Sequence, residues 1–223
     1  MATIDELVRT RRRTLAIIID DGGRLVVRAP LRMPARDIDE FVASKEKWIL
    51  AKQGQVRQRM QRFTPKRYVP GEEFLYLGEP CRLEISDTQR PSLAFDDRFS
   101  LARAALPNAA SLFEKWYRRR ALRVITERVD LYAQAHGFAH NGVRISSARR
   151  QWGSCGPDGT LRFAWRLVMA PLPVIDYVVV HELAHLRYKS HGKRFWGKVR
   201  SILPDFAERR AWLGHNGYLL DLG

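Results

Sequence analysis

The strongest constraint on this chain is a short run of histidines with an acid between them: Val180-His181-Glu182-Leu183-Ala184-His185-Leu186, followed by Ser190-His191-Gly192. Two histidines four residues apart share one helix face, one turn above the other. The spacing therefore predicts a helix whose two imidazoles can hold one Zn²⁺ at about 2.0–2.1 Å. Val174, Ile175, Val178, Val179, Leu183 and Leu186 give that helix an apolar surface to bury, and Pro171 and Pro173 mark its entry. Glu182 falls beside the metal and not on it, where a general base for a bound water belongs.

A catalytic zinc site needs a third protein ligand and one open position. His191 is the natural third ligand. It follows His185 after five residues, the interval of an extended zinc motif, although Tyr188 stands where that motif carries a glycine. The chain is therefore expected to end its first helix near Tyr188 or Lys189. Ser190 then caps a second helix running through Ile202, with His191 in its first turn.

Around this segment the pattern reads as α+β. Thr14–Ile19 and Arg24–Ala29 are strand-like runs separated by Asp20-Asp21-Gly22-Gly23, a hairpin signal. A helix is expected from Pro34 or Asp37 to about Gln61. Three short strands follow at Phe74–Leu77, Cys81–Ile85 and Leu93–Phe95, punctuated by Pro70-Gly71, Gly78, Pro80 and Pro91. Asn108 is placed to cap a long helix that ends at His136, with Gly137 as its stop. Strands are expected at Val143–Ser147, Gln151–Cys155 and Leu161–Trp165, and helices from Pro171 onward. The boundary between an accessory region (1–105) and a catalytic domain (106–223) is expected between Arg98 and Pro107.

With 223 residues and 45% hydrophobic side chains, the chain has material for a real core. Its longest apolar stretches, such as Leu167–Ala170 and Tyr177–Val180, fall far short of the roughly 18 residues of a membrane span. The first residues lack a secretory h-region, and Cys81 and Cys155 read as two reduced thiols. A cytoplasmic location is the expectation. Lys and Arg total 39 against 24 acids, a net charge of +15. Such an excess suits nucleic acid, nucleotides or acidic proteins, and equally a solvated surface. Its densest runs are Lys45–Arg67, with eight basic residues and one acid, and Arg118–Arg123. Oligomeric state leaves no mark in the sequence.

Tyr177, one turn before His181, and Arg150 are candidates for contacting the substrate or stabilising an oxyanion. Each has a plainer role available, Tyr177 in packing and Arg150 in a solvated strand. The edge from Arg149 to Ser154 is a candidate for adding a peptide by main-chain pairing. Glu114 and Asp205 are candidates to orient a ligand imidazole.

Gln151-Trp152-Gly153-Ser154-Cys155, Leu161-Arg162-Phe163-Ala164-Trp165-Arg166-Leu167, Ala170-Pro171, Asp176-Tyr177-Val178, the His181 motif and Phe195-Trp196 together resemble the YgjP-like zinc metallopeptidases. These are bacterial zincin-type proteins, more distantly related to the SprT-like proteases, whose motif also has a His-Gly pair matching His191-Gly192. The resemblance extends over nearly the whole chain. One departure is Gln151, where a basic residue is expected; Arg149 and Arg150 lie beside it. The resemblance implies a zincin-like domain (backing helix, small sheet, His-Glu-x-x-His helix) behind a β-rich accessory region with one helix. It implies His181, His185 and His191 as zinc ligands and Glu182 as catalytic acid/base.

The expected function is thus a zinc metallopeptidase acting on protein or peptide through a zinc-bound water activated by Glu182. The alternatives are a metal-dependent nucleotide phosphohydrolase, and a DNA-associated protease or binding module that uses the basic surface.

Overall fold

The structure, a computed structural model, describes residues 2–20, 22–62, 64–88 and 90–223, with the side chains of 59–62 set aside. Six α-helices and three small sheets among the described residues make an α+β chain. It forms two compact units, Met1–Thr64 and Pro65–Gly223. None of the described helices is long and apolar enough to cross a membrane.

The first unit contains β1 (Glu6–Thr10), β2 (Ala16–Ile19), β3 (Leu25–Pro30), α1 (Ala35–Ser44) and α2 (Glu46–Arg62). The expected hairpin forms, with β2 antiparallel to β3 and Ile19 opposite Leu25. Asp20 holds its turn by accepting the Gly22 and Arg24 amides at 3.0 and 2.9 Å. Asp21, in the same turn, lies outside the described residues. β1, which the sequence pattern did not announce, pairs parallel to β3. The single helix expected up to Gln61 is two, broken at Lys45. Ile38, Val42 and Ile49 close a small core with Leu25, Val27 and Ala29. In the basic run Lys45–Arg67, the side chains of Arg59 and Arg62 lie outside the described ones.

The second unit begins with a four-stranded sheet of β4 (Glu73–Tyr76), β5 (Glu79–Ser86), β6 (Leu93–Asp96) and β7 (Arg98–Ala102), in the order β4-β5-β7-β6. The long helix α3 (Ala109–His136) ends as expected, with Gly137 left-handed at φ 65° and its N–H bonded to the Ala133 carbonyl. Asn108 occupies the N-cap position but makes no side-chain cap; a 3₁₀ turn, Arg103–Asn108, leads the chain in instead. A second sheet, in the order β8-β10-β9, consists of β8 (Val143–Ser146), β9 (Gly153–Cys155) and β10 (Leu161–Ala164). α4 (Leu172–Arg187), α5 (Lys193–Ile202) and α6 (Phe206–Asn216) complete the unit.

The unit begins at Pro65, well before the boundary expected near residue 105. The physical reason is that β4–β7 share one core with α3 and α4. Phe113 of α3 lies 4.3 Å from the Phe74 ring and 4.8 Å from the Phe99 ring, and the Tyr117 hydroxyl donates to the Leu75 carbonyl at 2.7 Å. The β4–β5 turn also locates the start of α4. The Leu77 and Gly78 amides bond to the Val168 and Met169 carbonyls at 2.9 and 3.1 Å. At Gly78, φ is +90° and a Cβ would stand 2.8 Å from Pro171, so only glycine fits without a shift.

α4 carries Val178-Val179-Val180, a β-branched run with weak helix propensity. Burial overrides propensity, because Val174–Val180 are all buried and an all-round apolar helix belongs in a core. Arg128 of α3 grips Asp176 of α4 through Nε and Nη2, at 2.6 and 2.9 Å, which fixes the register of the two helices.

Candidate metal centre

α4 presents His181 and His185 one turn apart. The chain then leaves the helix at Tyr188, whose backbone is extended. α5 starts at Lys193 with Gly192 in the cap position, two residues later than a Ser190 cap would put it. His191 therefore precedes the helix and does not sit in its first turn. The cause is local: the Gly192 amide bonds back to the Ser190 carbonyl at 2.9 Å, and this turn swings His191 toward α4.

The three imidazoles converge. The Nε2 of His191 lies 3.1 Å from the Nε2 atoms of both His181 and His185, and one ring nitrogen from each residue falls within 4.8 Å of the others. Ligands about 2.0–2.1 Å from a tetrahedral ion stand about 3.3 Å apart, so the spacing is close to that of a three-nitrogen cradle. His185 Nδ1 lies 2.9 Å from the Tyr188 carbonyl oxygen, the contact that holds Nδ1–H and turns the Nε2 lone pair inward. The His181 Nδ1 is buried without a hydrogen-bond partner among the described residues. Burial, and next the neighbouring imidazoles, push the His181 pKa down to about 3; burial likewise lowers that of His185. Three imidazoles whose ring nitrogens converge on one point are a donor set a divalent ion takes, so the residues fit a bound metal.

Aromatic rings hold the cradle. Phe195, fully buried, has its ring centroid 4.9, 4.6 and 4.8 Å from those of His181, His185 and His191. Burying such a side chain contributes about 1.5–3 kcal/mol. Trp196 stacks on His191 at 5.7 Å and on Phe206 at 5.4 Å.

Glu182 is buried beside the cradle, and no donor or cation among the described residues pairs with it. Burial alone raises its pKa to about 7. Its space comes from Gly153 on β9, an edge strand of its sheet: a Cβ there would lie 2.6 Å from Glu182 Cγ and 2.7 Å from Oε1. A cavity of about 350 Å³ opens at this point, and its walls include Trp152, Tyr177, His181, Glu182 and Arg210.

Tyr177 lines this cavity, its ring centroid 5.9 Å from that of His181, and burial raises its pKa. Arg150 is exposed and does not line the cavity. Of the proposed orienting acids, Glu114 pairs with Arg118 and Asp205 with Arg209; a carbonyl does that work for His185. Gly153 and Arg210 escaped sequence reasoning. The Gly in Trp152-Gly153-Ser154 was a usable hint of close approach, whereas Arg210 lies in an unremarkable helix.

The family described as YgjP-like, metallopeptidase domain, matches residues 13–216. A curated UTP pyrophosphatase of Escherichia coli (strain K12) is 33% identical over 76 residues, 32% of this chain and 46% of that protein. The chain thus spans about half the length of the curated relative it matches. Among solved structures, the metallopeptidase zymogen of Pyrococcus abyssi abylysin is similar over 40% of this chain and 93% of its own, at 20% identity and a TM-score of 0.37.

Proposed function

The chain belongs to the YgjP-like metallopeptidase family, and from that premise we propose that it is a zinc-dependent, zincin-like peptidase with His181, His185 and His191 as ligands. The observation that carries this reading is the convergence of three Nε2 atoms next to a buried carboxylate without a partner among the described residues. When bound, Zn²⁺ supplies Lewis acidity, lowering the pKa of water and polarising the scissile carbonyl.

The remaining work falls to side chains. Glu182 takes the proton from the attacking water and delivers it to the leaving amine. Its raised proton affinity, near neutrality, suits a group that must both accept and release. Tyr177 lines the cavity, and no protein group among the described residues bonds its hydroxyl, leaving the O–H to donate to the developing oxyanion. β9, an edge strand that begins beside Glu182, offers main-chain groups along which an extended peptide aligns. Phe195 and Trp196 keep the ligand rings in a low-dielectric setting.

The test is turnover of casein and mixed peptides by the metal-loaded chain, before and after chelation and zinc readdition. Zinc-restored cleavage supports the reading; a metal-replete preparation that cleaves none of them sinks it.

A second reading, hydrolysis of a nucleoside triphosphate, rests on the local similarity to the UTP pyrophosphatase and on the net charge of +15. Against it, a triphosphate calls for several converging cations, and Arg210 is the one arginine or lysine among the cavity residues. Pyrophosphate release from UTP, assayed in the same preparation, separates the two.

A further inference from the structure

α6 carries two adjacent arginines with different fates. Arg209 is consumed by the fold: Nε meets Asp205 at 2.9 Å and Nη1 donates to the Pro173 carbonyl at 3.1 Å. Arg210 has no carboxylate partner among the described residues, and it lines the cavity that holds His181 and Glu182. Its guanidinium lies 5.1 Å from the Trp196 ring centroid. The same ring stacks on His191, so a packed aromatic relates Arg210 to the metal cradle. Its charge is felt at Tyr177 and at His181.

Cation–π contact occupies the face of a guanidinium and leaves its in-plane N–H groups to bind elsewhere. Those groups match a carboxylate in fork geometry, the strongest pairing an arginine makes. Trp152, Val178 and Leu213 supply apolar wall in the same cavity. A short apolar stem ending in a carboxylate matches that lining.

We propose that Arg210 is a specificity-determining residue that binds a carboxylate on the substrate residue occupying this cavity, so that the enzyme selects peptides with an acidic residue near the scissile bond. This rests on the peptidase reading above, and it names the substrate class for that site.

The experiment measures binding, so that it stands apart from turnover. The zinc-loaded Glu182→Gln chain is titrated with Ala/Leu heptapeptides carrying Glu, Gln or Lys at each position in turn, C-terminally amidated or free, followed by tryptophan fluorescence. At one position the Glu peptide is expected to bind at least about tenfold tighter than its Gln counterpart. Adding Arg210→Gln erases that preference, Arg210→Lys keeps most of it, and Arg210→Glu turns it toward Lys. A preference that follows the free C-terminus instead also supports Arg210 as the carboxylate receptor and identifies the terminal carboxylate as its source. Equal affinity for the three peptides overturns the proposal, as does a Glu preference that survives Arg210→Gln. So does UTP binding that depends on Arg210 while no peptide preference exists. Wild type that cleaves none of the peptides, with Arg210-dependent binding intact, removes the peptidase reading and leaves the carboxylate site. Equal cleavage of all of them does the reverse.

Discussion

α4 has two buried carboxylates six residues apart, and the protein treats them in opposite ways. Asp176 is 6% exposed and accepts two hydrogen bonds from Arg128. Glu182, two turns on, is 5% exposed and has neither cation nor donor among the described residues. Burying a charge without a partner is costly, and the group responds by holding its proton. Asp176 is therefore a clasp between two helices. Glu182 is kept in a strained electrostatic setting, and such settings concentrate where chemistry happens.

The comparison breaks most visibly at the functional end. Glu182→Gln keeps the volume and the three histidines but removes the proposed base. Turnover should fall about 10²–10⁴-fold with zinc content unchanged by metal analysis; retained turnover would take Glu182 out of the mechanism.

At the structural end, Arg128→Met leaves Asp176 buried without its cation, and urea unfolding should show a loss of about 3–5 kcal/mol. Arg128→Met with Asp176→Leu should recover most of it, because no charge is then stranded. A single variant as stable as wild type would show that the clasp holds nothing.

A third test sets stability against pH in the metal-free chain. Burial raises Glu182 from 4.5 to about 7, so the folded state binds this proton more tightly than the unfolded state does. The stability this group contributes is fully present below about pH 4.5 and is lost as pH rises through about 7. Glutamine cannot ionise, so Glu182→Gln should unfold with wild type at pH 4 and exceed it by up to about 3 kcal/mol above pH 7. Parallel curves at every pH would contradict the buried, unpaired state of the carboxylate.

The smallest effect is expected at the glycine that makes room for Glu182. Gly153→Ala puts a methyl into the carboxylate's place, costing about 1–3 kcal/mol of stability and about tenfold in turnover as Glu182 shifts. Introducing the same alanine beside Glu182→Gln should cost stability but no further turnover. Equal losses of turnover in both backgrounds would mean that Gly153 acts on something other than the base.

Much of this arrangement was legible before any fold was known. The i, i+4 histidines, the exit at Tyr188, the Gly137 stop and the Asp20–Gly23 hairpin all rest on contacts within a turn or two of chain. Misplacing the start of α5 was a failure at the same scale: Ser190 is a good cap by type, yet Gly192 took the position. β1 was missed because it gains its place from β3, a partner strand far along the chain; β7 was missed although its hairpin with β6 is local. The start of the second unit was missed because a shared aromatic core has no local signature.

The sequence by itself determined which groups could share one cation, because helical periodicity carries His181 and His185 to one face and His191 is only six residues away. Tertiary structure alone decided their surroundings: Gly153 beneath Glu182, Phe195 against all three rings, Trp196 beneath Arg210, and Arg128 on Asp176. Short-range geometry can be counted along a chain. Burial, and with it the proton affinity of a carboxylate, depends on what distant segments bring to it.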